Sequence, residues 1–293
     1  MKFAIVGYGN LGKSLARLIE NGDDELVAVY SRRNIDLSKS RALKQIGKDG
    51  DFDVALNCMG SFGDCWQYAD LLAPLDTVDS FDTHAKITDY KNLLTALNPK
   101  RIAVTGAGWD PGLLSLLRGT ISASDDVATV WGKGISQGHS NAVRAIDGVI
   151  DAVQFTVPKQ NWKNTVDSGN TDGAALHDRI CYVACVEADK ESVRRQIVNM
   201  PNYFKGYDTY VEFVSPSEVR NLKQNTSHCG QIYFKGKGYT AQAELSLECN
   251  TDLTAQVMLR YAHALPRLKA DGYAGALDVF DIPLKYITQN RFI

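Results

Sequence analysis

Long apolar runs are missing from this sequence, and none approaches the ~18–20 residues that a membrane-spanning helix needs. An excess of charge of either sign is missing too, since 32 Lys and Arg stand against 34 Asp and Glu for a net charge of −2. A chain so balanced has no broad basic field for holding a nucleic-acid backbone or an anionic membrane. Cysteine is scarce. Cys58, Cys65, Cys181, Cys185, Cys229 and Cys249 are too few in 293 residues for a disulfide scaffold, and they form no CxxC pair with His at zinc-ligand spacing. No metal site is expected, and the thiols read as reduced and mostly buried in a cytoplasmic protein. Met1-Lys2-Phe3-Ala4-Ile5-Val6 enters a strand-like run directly, so no leader is expected.

What remains is an ordinary folded composition, 44% hydrophobic and 23% charged, in a length that suggests two domains. The first hundred residues alternate. Strand-like runs at 2–6, 26–30, 54–56, 77–78 and 102–104 are interspersed with helical spacing at 11–19 and 86–97. Parallel strands need crossovers, and helices usually supply them, so the pattern predicts a Rossmann-like, doubly wound parallel α/β sheet. Past about residue 120 longer strands are predicted at 148–157, 176–186, 209–214 and 231–249. Small or apolar residues alternate with polar ones from Ala241 to Cys249, which predicts one dry face. This is a second α+β domain, its sheet covered by helices such as 189–199. A helix from Thr251, with Leu253, Val257, Tyr261 and Leu265 on one side, is expected to pack back on the first domain and to kink at Pro266. The expected domains are therefore 1–120 with 251–293, and 121–250.

Gly7-Tyr8-Gly9-Asn10-Leu11-Gly12 directly follows the first strand and opens the first helix. Glycines there permit a tight turn and close approach of a pyrophosphate to free helix N–H groups. The second strand ends in Ser31-Arg32-Arg33, where NAD-binding sheets usually carry an acid for the ribose hydroxyls. A hydroxyl and two guanidiniums suit a 2′-phosphate instead, so NADP(H) is the expected cofactor.

Asp82 follows the fourth strand and Trp109-Asp110-Pro111-Gly112 the fifth, at the strand ends that face ligands in open α/β sheets. Two acids there suit an amine-bearing substrate and can assist its deprotonation. Helix capping is the ordinary role of a lone Asp at such a junction, and Asp110 reads as a cap. In the second domain Arg179 sits in an apolar strand, where a charge needs a protein acid or a ligand carboxylate. His228 lies in a polar loop and Asn250 at a strand end, each equally at home as a surface or turn residue. Trp131-Gly132 and Ser136-Gln137-Gly138-His139-Ser140 read as loops able to offer N–H groups to an anion.

Taken in order, VGYGNLGKS (6–14), SRR (31–33), CMGS (58–61), VDSFDTH (78–84), GWDPG (108–112), WGKGISQGHS (131–140), DAVQFTVP (151–158), MPNYFKGY (200–207) and CNTDLTA (249–255) make the chain similar to the meso-diaminopimelate dehydrogenase family along nearly its whole length. The resemblance implies reversible oxidative deamination of the D-centre of meso-2,6-diaminopimelate with NADP. It implies substrate-facing roles for Asp82 and Asp110, which would do the acid–base work, and for Trp109, Trp131, Gln137 and Gly138. Thr156, Arg179, His228 and Asn250 would hold the distal L-centre. Cofactor contacts would come from Gly7 to Gly12, Ser31 to Arg33, Cys58, Met59, Gly60, Ser61, His84, Pro111 and Gly112. A homodimer formed through the second domain is also implied. Relative to longer members the chain is trimmed at 31–53 and around 160–175. Two alternatives stay open: a reductase of dihydrodipicolinate type, against which the lack of an adjacent His-His pair counts, and a non-catalytic NADP sensor on the same fold.

Overall fold

The computed structural model describes residues 1–48, 51–61, 63–121, 127–224 and 227–288. The chain divides into two compact units, Met1–Leu116 with Thr251–Ile293, and Leu117–Asn250.

The first unit is built on strands β1 (Lys2–Val6), β2 (Glu25–Ser31), β3 (Ser40–Ala42), β4 (Val54–Asn57), β5 (Thr77–Asp79) and β6 (Ile102–Val104), with the last strand, Gly275–Leu277, beside β6. All pair in parallel, in the order last strand, β6, β5, β4, β1, β2, β3. This is the Rossmann order, with its reversal point beside β1. Alternate residues of β1 serve opposite faces, as the pleat requires. Phe3 and Ile5 join Leu15 and Ile19 of helix Asn10–Glu20 and Met258, Tyr261 and Leu265 of helix Asn250–Ala270 in one core. Ala4 and Val6 join Tyr30, Ala55 and Leu72 in the other.

The expected parallel sheet and the packing of the C-terminal helix into this unit are both observed. That helix starts at Asn250, which therefore opens a helix rather than a turn, and it continues through Pro266 to Ala270.

The second unit carries β7 (Ala128–Trp131), β8 (Gly134–Ile135), β9 (Val149–Pro158), β10 (His177–Cys185), β11 (Asp208–Phe213), β12 (His228–Gly236) and β13 (Tyr239–Leu247). They form a four-stranded sheet, β11-β10-β9-β8, and a three-stranded sheet, β13-β12-β7. Helix Lys190–Val198 buries Val193 and Ile197 against Ala152, Cys181, Val183 and Val211.

The expected run 231–249 is not one strand. It is an antiparallel hairpin, β12 to β13, turning at Lys237-Gly238, where Gly238 takes φ +90°. The apolar side of β13 is also wetter than the alternation predicts. Ala241, Ala243 and Leu245 are half-buried, because β13 is an edge strand with one neighbour. Among the described residues no helix is long and apolar enough to cross a membrane, and no group of His, Cys, Asp and Glu could hold a metal.

Candidate active site

The glycine turn is shaped by the absence of side chains. Gly7 has φ +91°, its N–H donates to the Tyr30 carbonyl at 2.8 Å, and a Cβ there would crowd the Cys58 carbonyl at 3.2 Å. A Cβ on Gly12 would overlap the Gly7 carbonyl oxygen. Gly9 is the N-cap of helix Asn10–Glu20 with open space around it, no capping side chain and no acid in the first turn. The first-turn N–H groups thus point at space suited to an anion. Tyr8 and Leu11 pack on the core behind the turn, while Asn10 is exposed.

At the end of β2, Ser31 is buried and its hydroxyl accepts from the Arg33 N–H at 3.1 Å. Arg32 and Arg33 are exposed. Arg32 pairs with Asp64 at 2.7 Å and lies over the Tyr68 ring at 5.9 Å. A glycine turn, an uncapped helix end and these two guanidiniums fit a dinucleotide with an added phosphate. After β4, the Cys58 N–H donates to the Val6 carbonyl at 2.7 Å and the Met59 N–H to Asn57 Oδ1 at 3.1 Å, leaving Gly60 exposed with open space above it. Burial pushes the Cys58 thiol up, so it is not a nucleophile near neutral pH.

Asp82 follows β5 as an exposed carboxylate, held by a hydrogen bond from the Ser61 hydroxyl. Ser61 is itself fixed, because its hydroxyl accepts from Thr83 at 3.2 Å and its carbonyl from the Trp66 indole at 3.0 Å. His84 is exposed and opens the short turn His84–Lys86. After β6, Trp109 and Pro111 are buried and Asp110 is half-buried. The loop closes on itself so tightly that a Cβ on Gly112, at φ +133°, would overlap the Gly108 carbonyl oxygen. The Ser115 hydroxyl donates to Asp110 at 3.4 Å and accepts from the Gly112 N–H at 3.3 Å.

In the second unit Arg179 and Thr156 are register partners on β10 and β9, and Arg179 Nη1 donates to the Thr156 hydroxyl. Arg179 is 8% exposed, its Nε lacks a partner, and it makes no ion pair among the described residues. Burial lowers its proton affinity, yet a guanidinium keeps its charge. Its guanidinium stacks on the ring of Tyr207. Gln154, fully buried, reaches the Thr156 hydroxyl with Nε2 at 3.5 Å while its Oε1 is unpartnered. Thr156 also pairs with Gly134, where a Cβ would overlap the ring of His228. Thr156, Arg179 and His228 thus lie around one patch. His228 is the first residue of β12 rather than part of the preceding loop, of which Asn225 and Thr226 lie outside the described residues.

Trp131 ends β7. Its N–H donates to His177 Nε2 at 2.9 Å, and His177 Nδ1 donates to the Gly173 carbonyl at 2.8 Å. Burial lowers the His177 pKa to about 4, consistent with this neutral tautomer. Gln137 and Gly138 are not in a loop. They are the exposed first turn of helix Gln137–Arg144, because Ser136 takes the N-cap position and hydrogen-bonds His139 at 2.6 Å. Burial, with the nearby Arg179 charge, lowers the His139 pKa to about 3. Sequence reasoning misses Tyr207, Gln154 and His177. The family-like stretches MPNYFKGY and DAVQFTVP contain the first two without singling them out, and nothing local marks His177.

A Rossmann-type sheet bearing a glycine-lined phosphate turn, in a chain that also carries a buried guanidinium paired with no acid among the described residues, fits a nicotinamide-dinucleotide dehydrogenase of small carboxylates. Residues 108–254 match the family described as the diaminopimelic acid dehydrogenase C-terminal domain. A meso-diaminopimelate D-dehydrogenase of Acetivibrio thermocellus is 38% identical over 98% of this chain and 94% of its own length. The solved structure of C. glutamicum DAP dehydrogenase in complex with DAP is 32% identical, covers 99% of this chain and 96% of its own, and superposes with a TM-score of 0.89. An engineered D-amino acid dehydrogenase bound to NADP+ is 31% identical over 99% and 97%, with a TM-score of 0.85. The chain belongs to the meso-diaminopimelate D-dehydrogenase family.

Proposed function

We propose that the protein catalyses the NADP-dependent, reversible oxidative deamination of the D-centre of meso-2,6-diaminopimelate. The products are L-2-amino-6-oxopimelate, ammonia and NADPH. The observation that carries this reading is Arg179, a buried guanidinium that pairs with no carboxylate among the described residues, in a family of diaminopimelate dehydrogenases. Bound NADP+ supplies the hydride acceptor. Gly7 to Gly12 would receive its pyrophosphate, Ser31, Arg32 and Arg33 its 2′-phosphate, and Cys58 to Ser61, His84, Pro111 and Gly112 the rest of the dinucleotide.

In this assignment residues 1–120 with 251–293 bind NADP, and 121–250 bind substrate and make a homodimer. The half-exposed Ala241, Ala243 and Leu245 face supports the dimer. Arg179, Thr156, His228 and Asn250 anchor the distal L-amino acid, so that the wrong epimer would leave their polar groups unpaired. Trp109, Trp131, Gln137 and Gly138 line the chain toward the D-centre. Asp82 and Asp110 orient the D-ammonium, and one of the two receives its proton. The nitrogen lone pair then forms the C=N bond as hydride leaves the α-carbon, and water hydrolyses the imine to ketone and ammonia. Six cysteines, none of them in a disulfide, support a cytoplasmic setting.

The test is NADPH absorbance with NADP+ and each diaminopimelate stereoisomer in turn. Turnover with the meso form, absent with the LL form and weak with NAD+, is expected. Silence with every isomer despite NADP+ binding would sink the reading.

A further inference from the structure

One buried carboxylate serves both acid-bearing loops of the first unit. Asp79 closes β5 and is 2% exposed. Its Oδ1 accepts from the Phe81 N–H at 2.9 Å, the Thr105 hydroxyl at 2.8 Å and the Gly106 N–H at 3.2 Å. Its carbonyl accepts from the Ala107 N–H at 2.8 Å. Phe81 immediately precedes Asp82, and its ring stacks on Tyr90 with centroids 4.5 Å apart. Thr105, Gly106 and Ala107 begin the turn that runs on to Asp110. A single oxygen atom therefore ties the loop of one acid to the loop of the other.

Stability alone does not account for a charge at this place. Asp79 makes no ion pair among the described residues, and a buried lone carboxylate is unfavourable. Burial pushes its pKa up to about 6 even against those three hydrogen bonds. What a charged acceptor adds is strength and direction in each bond it receives.

We propose that Asp79 is a positioning residue that sets where Asp82 and Asp110 stand relative to one another. This rests on the reading that those two acids meet the substrate amine. Misplacement of reacting groups by about 1 Å can cost on the order of 100-fold in rate. The titratable groups that face Asp79 are Cys58, Cys65 on helix Asp64–Gln67 and Tyr90 on helix Ile87–Leu97, and burial holds all three protonated. Asp79 is thus the member of this cluster that changes charge between pH 5 and 8.

The experiment compares Asp79→Ala and Asp79→Asn with wild type. We expect kcat to fall about 100-fold in the alanine variant and about 10-fold in the asparagine variant, which keeps a neutral acceptor. The NADP+ Kd holds in both. The fall of wild-type kcat as pH drops through about 6 is absent from Asp79→Asn. The Phe81 and Gly106 amides exchange hydrogen faster in Asp79→Ala. Wild-type kcat with an unchanged pH profile in Asp79→Asn overturns the proposal, and this variant alone decides if the alanine variant does not fold. Loss of NADP+ affinity in step with kcat overturns it as well. If wild type turns over no diaminopimelate, the functional reading fails, and amide exchange still decides whether Asp79 ties the two loops.

Discussion

The Arg179 guanidinium carbon lies 4.3 Å from the centroid of the Tyr207 ring, while Nη1 of the same group donates to Thr156. The ring covers one face of the cation and the hydroxyl fixes one edge, so the guanidinium is aimed with no acid among the described residues neutralising it.

Tyr207→Ala should therefore loosen the aim of Arg179 more than it changes chemistry. A desolvated cation–π pair is worth about 2 kcal/mol, or about 30-fold in the KM for diaminopimelate. Tyr207→Phe keeps the π face and should stay within about threefold of wild type, a change under 1 kcal/mol. Steady-state kinetics on the two variants check this, and a large fall in kcat with KM unchanged would contradict it.

Arg32 and Arg33 bear on the choice of cofactor. Replacing both with Ala should weaken NADP+ by about 1.5–3 kcal/mol per lost charged hydrogen bond and leave the weaker NAD+ activity unaltered. Because Arg32 also pairs with Asp64, part of its effect is offset by competition from that acid. Equal losses with the two cofactors, in KM measured side by side, would remove the 2′-phosphate assignment.

His177 makes stability depend on acid. Its folded pKa of about 4 lies below the 6.5 of a free imidazole. The unfolded chain therefore binds the extra proton first, and this stability is full above pH 6.5 and lost as pH falls toward 4. The amount is on the order of 3 kcal/mol. Asp79 has the opposite sign, its contribution being present below pH 3.8 and lost as pH rises through about 6. Urea unfolding of His177→Gln at pH 7.5 and 4.5 should show a smaller acid loss than wild type. An identical loss would mean that His177 is not the group responsible.

Gly134→Ala places a methyl group where the His228 ring sits. The ring must turn away, and if His228 holds the distal amino acid, KM for diaminopimelate should rise about 10-fold, the equivalent of one hydrogen bond. NADP+ affinity should not move. A variant with an unchanged KM would separate His228 from substrate binding.

Much of the first unit is legible in the chain because its signals are local. Strands β1, β2, β4, β5 and β6 show as short strand-like runs, helices Asn10–Glu20 and Ile87–Leu97 carry the matching period, and the glycine turn sits at the junction of the first two elements, whereas β3, with the sequence Ser-Arg-Ala, has no apolar run to announce it. The hairpin of β12 and β13 is harder to read. Both arms read as strand, one with the apolar run Ile232-Tyr233-Phe234 and one alternating, so only Lys237-Gly238 marks the reversal. A residue proposed to touch a ligand, such as Arg179, betrays itself as a charge in apolar company. Residues that act through others do not. The Asp79 carboxylate takes its donors from 2, 26 and 27 positions away, and the ring of Tyr207, in the turn before β11, meets Arg179 of β10 only in the folded chain.

Helix Asn250–Ala270 completes the core of the first unit with Met258, Tyr261 and Leu265, and the last strand completes its sheet beside β6. During synthesis, then, the N-terminal segment leaves the ribosome with Ile5, Leu56 and Val104 lacking their final cover until the whole second unit has been made. The glycine turn is translated ahead of the whole second unit, yet the sheet beneath it closes only after that unit has been made. A nascent chain stalled before residue 250 would present an open apolar sheet face to chaperones, and not a nucleotide-binding domain.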